Sequence, residues 1–167
     1  HWGLNYAEDY EQLKRDIKDL IIEGHSEILF VLNGDYFHVD NFQNTTERGT
    51  RVDDVDFERA TRDAHSFTID LLKCALEHSP NVKLSYLPGN HAPSVDYMFT
   101  YGLKAMFPQI EIDDQIDHFK QAWLGEHSIF MHHGDKRRTS TKLLEVLVSK
   151  FAKEWGESQS RYLITGH

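Results

Sequence analysis

Short apolar runs that stop at polar, glycine-bearing turns punctuate the chain. Glu27–Leu32 (EILFVL), Val82–Leu87 (VKLSYL), Ser128–Met131 (SIFM) and Arg161–Thr165 (RYLIT) are too short and too apolar for surface helices, so they predict buried strands. Between them the period changes to that of a helix. Tyr10, Leu13, Ile17, Leu20 and Ile21 predict a helix from Tyr6 to Glu23, ended by Gly24. Phe57, Ala60, Ala64, Phe67, Leu71 and Cys74 predict the buried stripe of a long helix from Phe57 to His78, closed by Pro80. A third helix is expected over Ser94–Phe107, capped by Ser94, interrupted at Gly102 and stopped by Pro108. A fourth is expected over Thr139–Trp155, with Leu143, Leu147, Phe151 and Trp155 at i,i+4. Gln109–Ile112 and His118–Leu124 alternate and read as strands, with the 109–131 region antiparallel in character. The strand–helix–strand spacing over residues 27–90 is a βαβ unit and implies a parallel sheet.

The turns after the strands carry the chemistry. Leu87-Pro88-Gly89 forces a tight turn, and Asn90-His91 follow it. Asn33-Gly34-Asp35-Tyr36-Phe37-His38 follows the first strand, His132-His133-Gly134-Asp135 the third, and Gly166-His167 the last. His1-Trp2-Gly3 has the same look. Parallel strands gather their C-terminal ends on one edge, where ligands bind in layered α/β folds. Asp, Asn and His brought together there suit an intermediate divalent metal such as Mn²⁺, Fe²⁺ or Zn²⁺, not an all-oxygen Ca²⁺ cage or a thiolate zinc site. The polar stretch 41–55 reads as a long loop, and it carries Arg48 and Arg51 near the Asp35 turn.

Composition narrows the picture without changing it. At 167 residues with 40% hydrophobic residues the chain is long enough for one domain with a sizeable core. A formal net charge of -9 argues against a broad surface for duplex nucleic acid, although a local basic groove such as Lys136-Arg137-Arg138 stays compatible with it. The single cysteine, Cys74, forms no internal disulfide and is expected as a buried thiol, which suggests a cytoplasmic location. No apolar run approaches membrane-spanning length, so no membrane partner is expected.

Taken in order, Gly34-Asp35, Gly89-Asn90-His91, His133 and Gly166-His167 resemble the calcineurin-like metallophosphoesterase superfamily, whose pattern is D-x-H, G-D, G-N-H-[D/E], H and G-H-x-H after successive strands. The resemblance covers nearly the whole chain. It implies a four-layer αββα sandwich and one catalytic domain over residues 1–167, cut at both ends. It implies two divalent ions, Mn²⁺ first and Fe²⁺ or Zn²⁺ as alternatives. Asp35 would bridge them, Asn90, His133 and His167 would complete one site, and His1 would belong to the other. His91 would be the general acid or a phosphate contact. The implied activity is metal-dependent hydrolysis of a phosphate ester, monoester or diester. Gly34-Asp35-Tyr36-Phe37-His38 is similar to the nuclease subunit of the double-strand-break repair complex, where the corresponding His contacts the substrate phosphate, so nucleic acid is an alternative partner. Arg48 and Arg51 would then help line the substrate groove. His-Gly-Asp also looks like the nucleotide-diphospholipid hydrolases. The chain departs from the family at Ala92, where the acid that orients the His normally stands. A non-catalytic scaffold on the same fold is the reading from another class, though a scaffold has no need for four convergent polar ligands.

Overall fold

The computed structural model describes residues 6–53, 55–135 and 140–167. The fold is mixed α/β: α1 (Tyr6–Ile22), β1 (Ile28–Leu32), α2 (Phe57–His78), β2 (Val82–Tyr86), α3 (Pro93–Met106), β3 (Glu111–Asp113), β4 (Phe119–Leu124), β5 (His127–His132), α4 (Ser140–Lys150), α5 (Ala152–Glu157) and β6 (Ser160–Thr165). The strands make two sheets of three, in the orders β1-β2-β3 and β4-β5-β6. The first sheet is parallel throughout, as the βαβ spacing requires. In the second, β4 and β5 form an antiparallel hairpin and β6 returns parallel to β5. The expected antiparallel character therefore holds for β4–β5 and fails for β3. That strand follows a helix and joins β2 in parallel, as crossover connections favour.

Side-chain alternation assigns each face of the sheets. Phe30, Leu32, Val82, Leu84 and Ile112 pack with α1, α2 and α3 in the largest core cluster. The intervening residues Leu29 and Val31, with Leu87 just past β2, meet Ala122, Leu124, Ile129 and Met131 of the second sheet. On the outer side of that sheet, Phe130 packs with Leu143, Leu147, Phe151 and Trp155. Polar residues tie the sheets at their margins. Lys83 Nζ lies 2.5 Å from Glu27 Oε1 and donates to the Trp123 carbonyl, while Glu27 Oε2 accepts from the Gly125 amide. The bond from Lys83 holds the Glu27 carboxyl below its ordinary range.

Four expectations about the elements need correction. Leu13 and Leu20 are exposed. They sit roughly 60–80° to one side of the line through Tyr10, Ile17 and Ile21 that faces α2 and the core, at about 100° per residue. Ala60 is likewise exposed, because the deep part of α2 is its second half, from Thr68 to Ala75. The helix α3 runs unbroken through Gly102 and begins at Pro93, and its first turn is capped from outside the helix. Asp40 Oδ1 accepts from the Ser94 and Val95 amides at 3.0 and 3.1 Å. The fourth helix is two helices. Phe151 leaves helical geometry at φ -120°, ψ 42°, and both Phe151 and Trp155 stay on Phe130, with ring centroids 6.0 and 5.2 Å away.

The stretch 41–53 is a fastened loop. Thr45 bridges Arg51, Val52 N–H donates to Asn44 O, and Glu47 N–H donates to His91 O at 2.8 Å. Cys74 is a buried free thiol. Among the described residues, no helix is long and apolar enough to cross a membrane.

Lys120 on β4 is buried, and its ammonium donates to the Asp113 carbonyl at 3.1 Å and lies 2.8 Å from Asp113 Oδ1. Burial pushes its pKa below the ordinary lysine value, against the pull of Asp113. The ammonium is therefore a net cost to folding at neutral pH. Lys120→Met should leave stability unchanged or raise it, because the Asp113 carboxylate left behind is 43% accessible and stays hydrated. The advantage should narrow as pH rises toward the ordinary lysine range, because the folded state sheds this proton first. Urea denaturation of both proteins at pH 7 and pH 10 checks this. A loss of more than about 1 kcal/mol at pH 7 would mean that the ion pair outweighs its desolvation.

Candidate metal centre

The site begins with two glycines in contact. After β1, Gly34 and Asp35 both take left-handed backbone conformations, with φ 73° and 53°. After β2, Gly89 passes so close that a Cβ on it would stand 2.1 Å from Asp35 Oδ1, and one on Gly34 would stand 2.6 Å from the Gly89 Cα. Only residues without side chains fit there. The approach lets Asp35 Oδ1 accept from the Asn90 and His91 amides, both at 2.8 Å. Asp35 itself is held in its strained conformation from behind. Asp96 of α3 accepts from the Tyr36 amide at 3.3 Å and from the Phe37 amide at 2.9 Å. Burial raises the Asp96 pKa to about 7, outweighing these two bonds, and the Asp35 charge adds to the rise. Asp96 sits in the first turn of α3, where an acidic residue is ordinary. A buried Asp facing a turn 59 residues earlier has no local signature.

The other Asp35 oxygen points at His133. Oδ2 lies 3.0 Å from His133 Nε2, and Asn90 Oδ1 lies 3.2 Å from the same nitrogen. His133 Nδ1 is 2.6 Å from the Asn33 carbonyl, so it is the N–H of the ring. Nε2, a carboxylate oxygen and an amide oxygen therefore converge, an arrangement that a proton on Nε2 or a cation among the three atoms would satisfy. Ligands at about 2.1 Å from an ion and at right angles to each other are about 3 Å apart, so the spacing fits a divalent ion. The Asn33 carbonyl plays the part that outer-shell acceptors play for metal-bound histidines. Among the described residues, no three His, Cys, Asp or Glu side chains alone form such a group. It is the amide of Asn90 that supplies the third donor.

His167 stands beside this cluster, its ring edge-on to that of His133 with centroids 5.4 Å apart. Gly166 N–H donates to His133 O, which draws the ends of β5 and β6 together. His1 lies outside the described residues, as does Lys136-Arg137-Arg138. His132 is buried in the second sheet, stacked on Phe119.

His38, exposed, and His91, half-buried, form a second pair, with Nδ1 atoms 3.2 Å apart and ring centroids 4.8 Å apart. A cleft of about 450 Å³ opens next to Asn90, and Arg48 and His118 line it. Arg51 does not line the cleft. It faces outward and pairs with Asp53 at 3.0 Å. In sequence His118 is only the first residue of the expected strand 118–124, since nothing in its neighbours' identity marks it.

No protein-family model matches the chain, and no curated protein or solved structure is similar to it. The class defined by fold and site is thus a mixed α/β domain whose strand ends gather an Asp–Asn–His cluster.

Asp96→Asn tests how the Asp35 turn is held. The substitution replaces an acceptor by an NH₂ facing a backbone N–H, so stability should fall by about 1–3 kcal/mol. The Asp35 turn should loosen with it, visible as faster amide exchange at Tyr36 and Phe37. Unchanged exchange at those two amides would show that the turn holds without Asp96.

Proposed function

We propose that this protein is a divalent-metal-dependent phosphoesterase of the calcineurin-like kind, built as a four-layer αββα sandwich. The observation that carries the reading is the convergence of Asp35 Oδ2, Asn90 Oδ1 and His133 Nε2 at the ends of three strands. The three apolar clusters support the layering: helices on the first sheet, sheet on sheet, and α4–α5 on the outside. Asp35, Asn90 and His133 would hold one ion, with His167 beside them. A second ion, with His1 among its ligands, rests on the resemblance alone. Mn²⁺ suits the mixed N/O donors, as do Fe²⁺ and Zn²⁺. Ions bound there supply Lewis acidity toward a phosphoryl oxygen and lower the pKa of bound water.

The chain's own residues do the rest. The Asn90 and His91 amides fix Asp35 at one oxygen and leave the other for the site. His91 is placed to deliver a proton to the leaving alkoxide, and His38 beside it contacts the phosphate or shares that proton. Arg48, in the adjoining cleft, attracts the ester's negative charge. With Ala92 in the family's acid position, the His38 ring is what accompanies His91 here. The His38–His91 pair also favours a phosphodiester of the repair-nuclease kind as a second reading.

Calorimetric titration with Mn²⁺ should show at least one site, lost in Asp35→Asn. Hydrolysis of mono- and diester reporters should need that ion, and equal rates with excess chelator would overturn the metal reading.

His91→Asn should keep metal binding and lower turnover roughly 10²–10⁴-fold for an alkoxide leaving group. The loss should shrink for nitrophenolate, which leaves without a proton. Equal losses on both substrates would assign His91 to positioning or charge, not to proton delivery.

A further inference from the structure

The cleft that Asn90 lines is also lined by Glu47 and Arg48 of the fastened loop, by Ile116 and His118 ahead of β4, and by Asp135 after β5. The His118 backbone is braced on both flanks. Asp117 Oδ1 accepts from the Phe119 amide at 3.1 Å, and Lys150 of α4 binds both the Asp117 carboxylate and the Phe119 carbonyl. His118 Nδ1 is shut off from solvent and has no hydrogen-bond partner. Burying an N–H without an acceptor is costlier than burying a lone pair, so the ring proton belongs on Nε2. Nε2 is then the nitrogen left to meet a ligand in the cleft. Beside it, Ile116 is an exposed apolar side chain, 69% accessible. An N–H donor next to an apolar surface, in a cleft that Asn90 of the Asp–Asn–His cluster also lines, matches the organic part of an ester more closely than a bare phosphate.

The geometry points to His118 as a substrate-contacting residue. Its Nε2–H donates to an acceptor on the sugar or second phosphate of a nucleotide-sized phosphodiester, while Ile116 packs against that sugar. This rests on the phosphoesterase reading for the reaction, but the contact itself does not need the metal. No group in the cleft is asked to change protonation. Glu47 and Asp135, both acidic, disfavour small anions, so the cleft selects a ligand that also meets Arg48, His118 and Ile116.

The test uses the whole chain and a 5′-phosphorylated thymidine dinucleotide. In chelator, the dinucleotide should shift the ring resonances of His118, assigned by their loss in His118→Gln. Inorganic phosphate should not shift them. With Mn²⁺, His118→Asn should raise KM for the dinucleotide about tenfold, with kcat within about twofold. His118→Gln, whose amide nitrogen falls near the Nε2 position, should restore most of that KM. Bis(4-nitrophenyl) phosphate, which lacks a sugar, should be cleaved alike by all three. Ring resonances unmoved at saturating dinucleotide, or a KM rise shared by the reporter, would overturn the assignment. Shifted resonances without hydrolysis of any ester would sink the phosphoesterase reading and leave the His118 contact standing.

Discussion

The site depends on the passage of two backbones within side-chain distance at Gly34 and Gly89. That contact puts the Asp35 carboxylate under the Asn90 and His91 amides. It orients one carboxylate oxygen inward to the turn and the other outward to His133. It also sets how closely β1 and β2 can finish together, and so where the loop after each strand begins. A methyl group at Gly89 would displace the Asp35 carboxylate, not merely crowd it, and one at Gly34 would drive into the Gly89 backbone and His133 Nδ1.

Around this contact the structure spends much of its polar bonding on holding loops still. Asp96 grips the turn after Asp35 from below, Asp40 caps α3 and ties it to the same turn, and the Glu47 amide reaches the His91 carbonyl. Each bond joins a loop to a segment far along the chain. The result is a set of strand ends whose Asp35, Asn90 and His133 side chains stand on braced backbone with their polar atoms near 3 Å apart. The His38 ring, by contrast, is exposed and the His91 ring half-buried, and the two meet each other with Nδ1 atoms 3.2 Å apart.

The two buried or half-buried lysines of the inter-sheet layer belong to the same theme. Lys83 and Lys120 each reach from one sheet to an acceptor on the other, at Trp123 and Asp113. Their stems fill the layer margins and their heads fix how the sheets sit together, which in turn aligns the end of β5 with the ends of β1 and β2. Thus His133, carried by the second sheet, meets Asp35 and Asn90, carried by the first.

Much of this was legible along the chain because it is local. Apolar runs of five or six residues ending at Gly and a polar residue marked the strands and the turns at Asp35, Asn90, His133 and His167. The βαβ spacing marked β1 and β2 as parallel, and the boundaries of α2 followed from its stripe and Pro80. Local patterning could not decide the direction of β3, the break at Phe151, or which of the apolar residues on α1 face the core, since these depend on the surface each element meets. Asp40, Asp96 and His118 were silent for the same reason. Their neighbours in sequence are ordinary, and their roles come from partners or a cleft supplied by distant segments. Residue identity and period determined which strand ends carry donor atoms. Only the packing of sheet on sheet decided that Asp35, Asn90 and His133 meet while Arg51 turns away, because convergence is set by the distance between backbones that the chain itself leaves far apart.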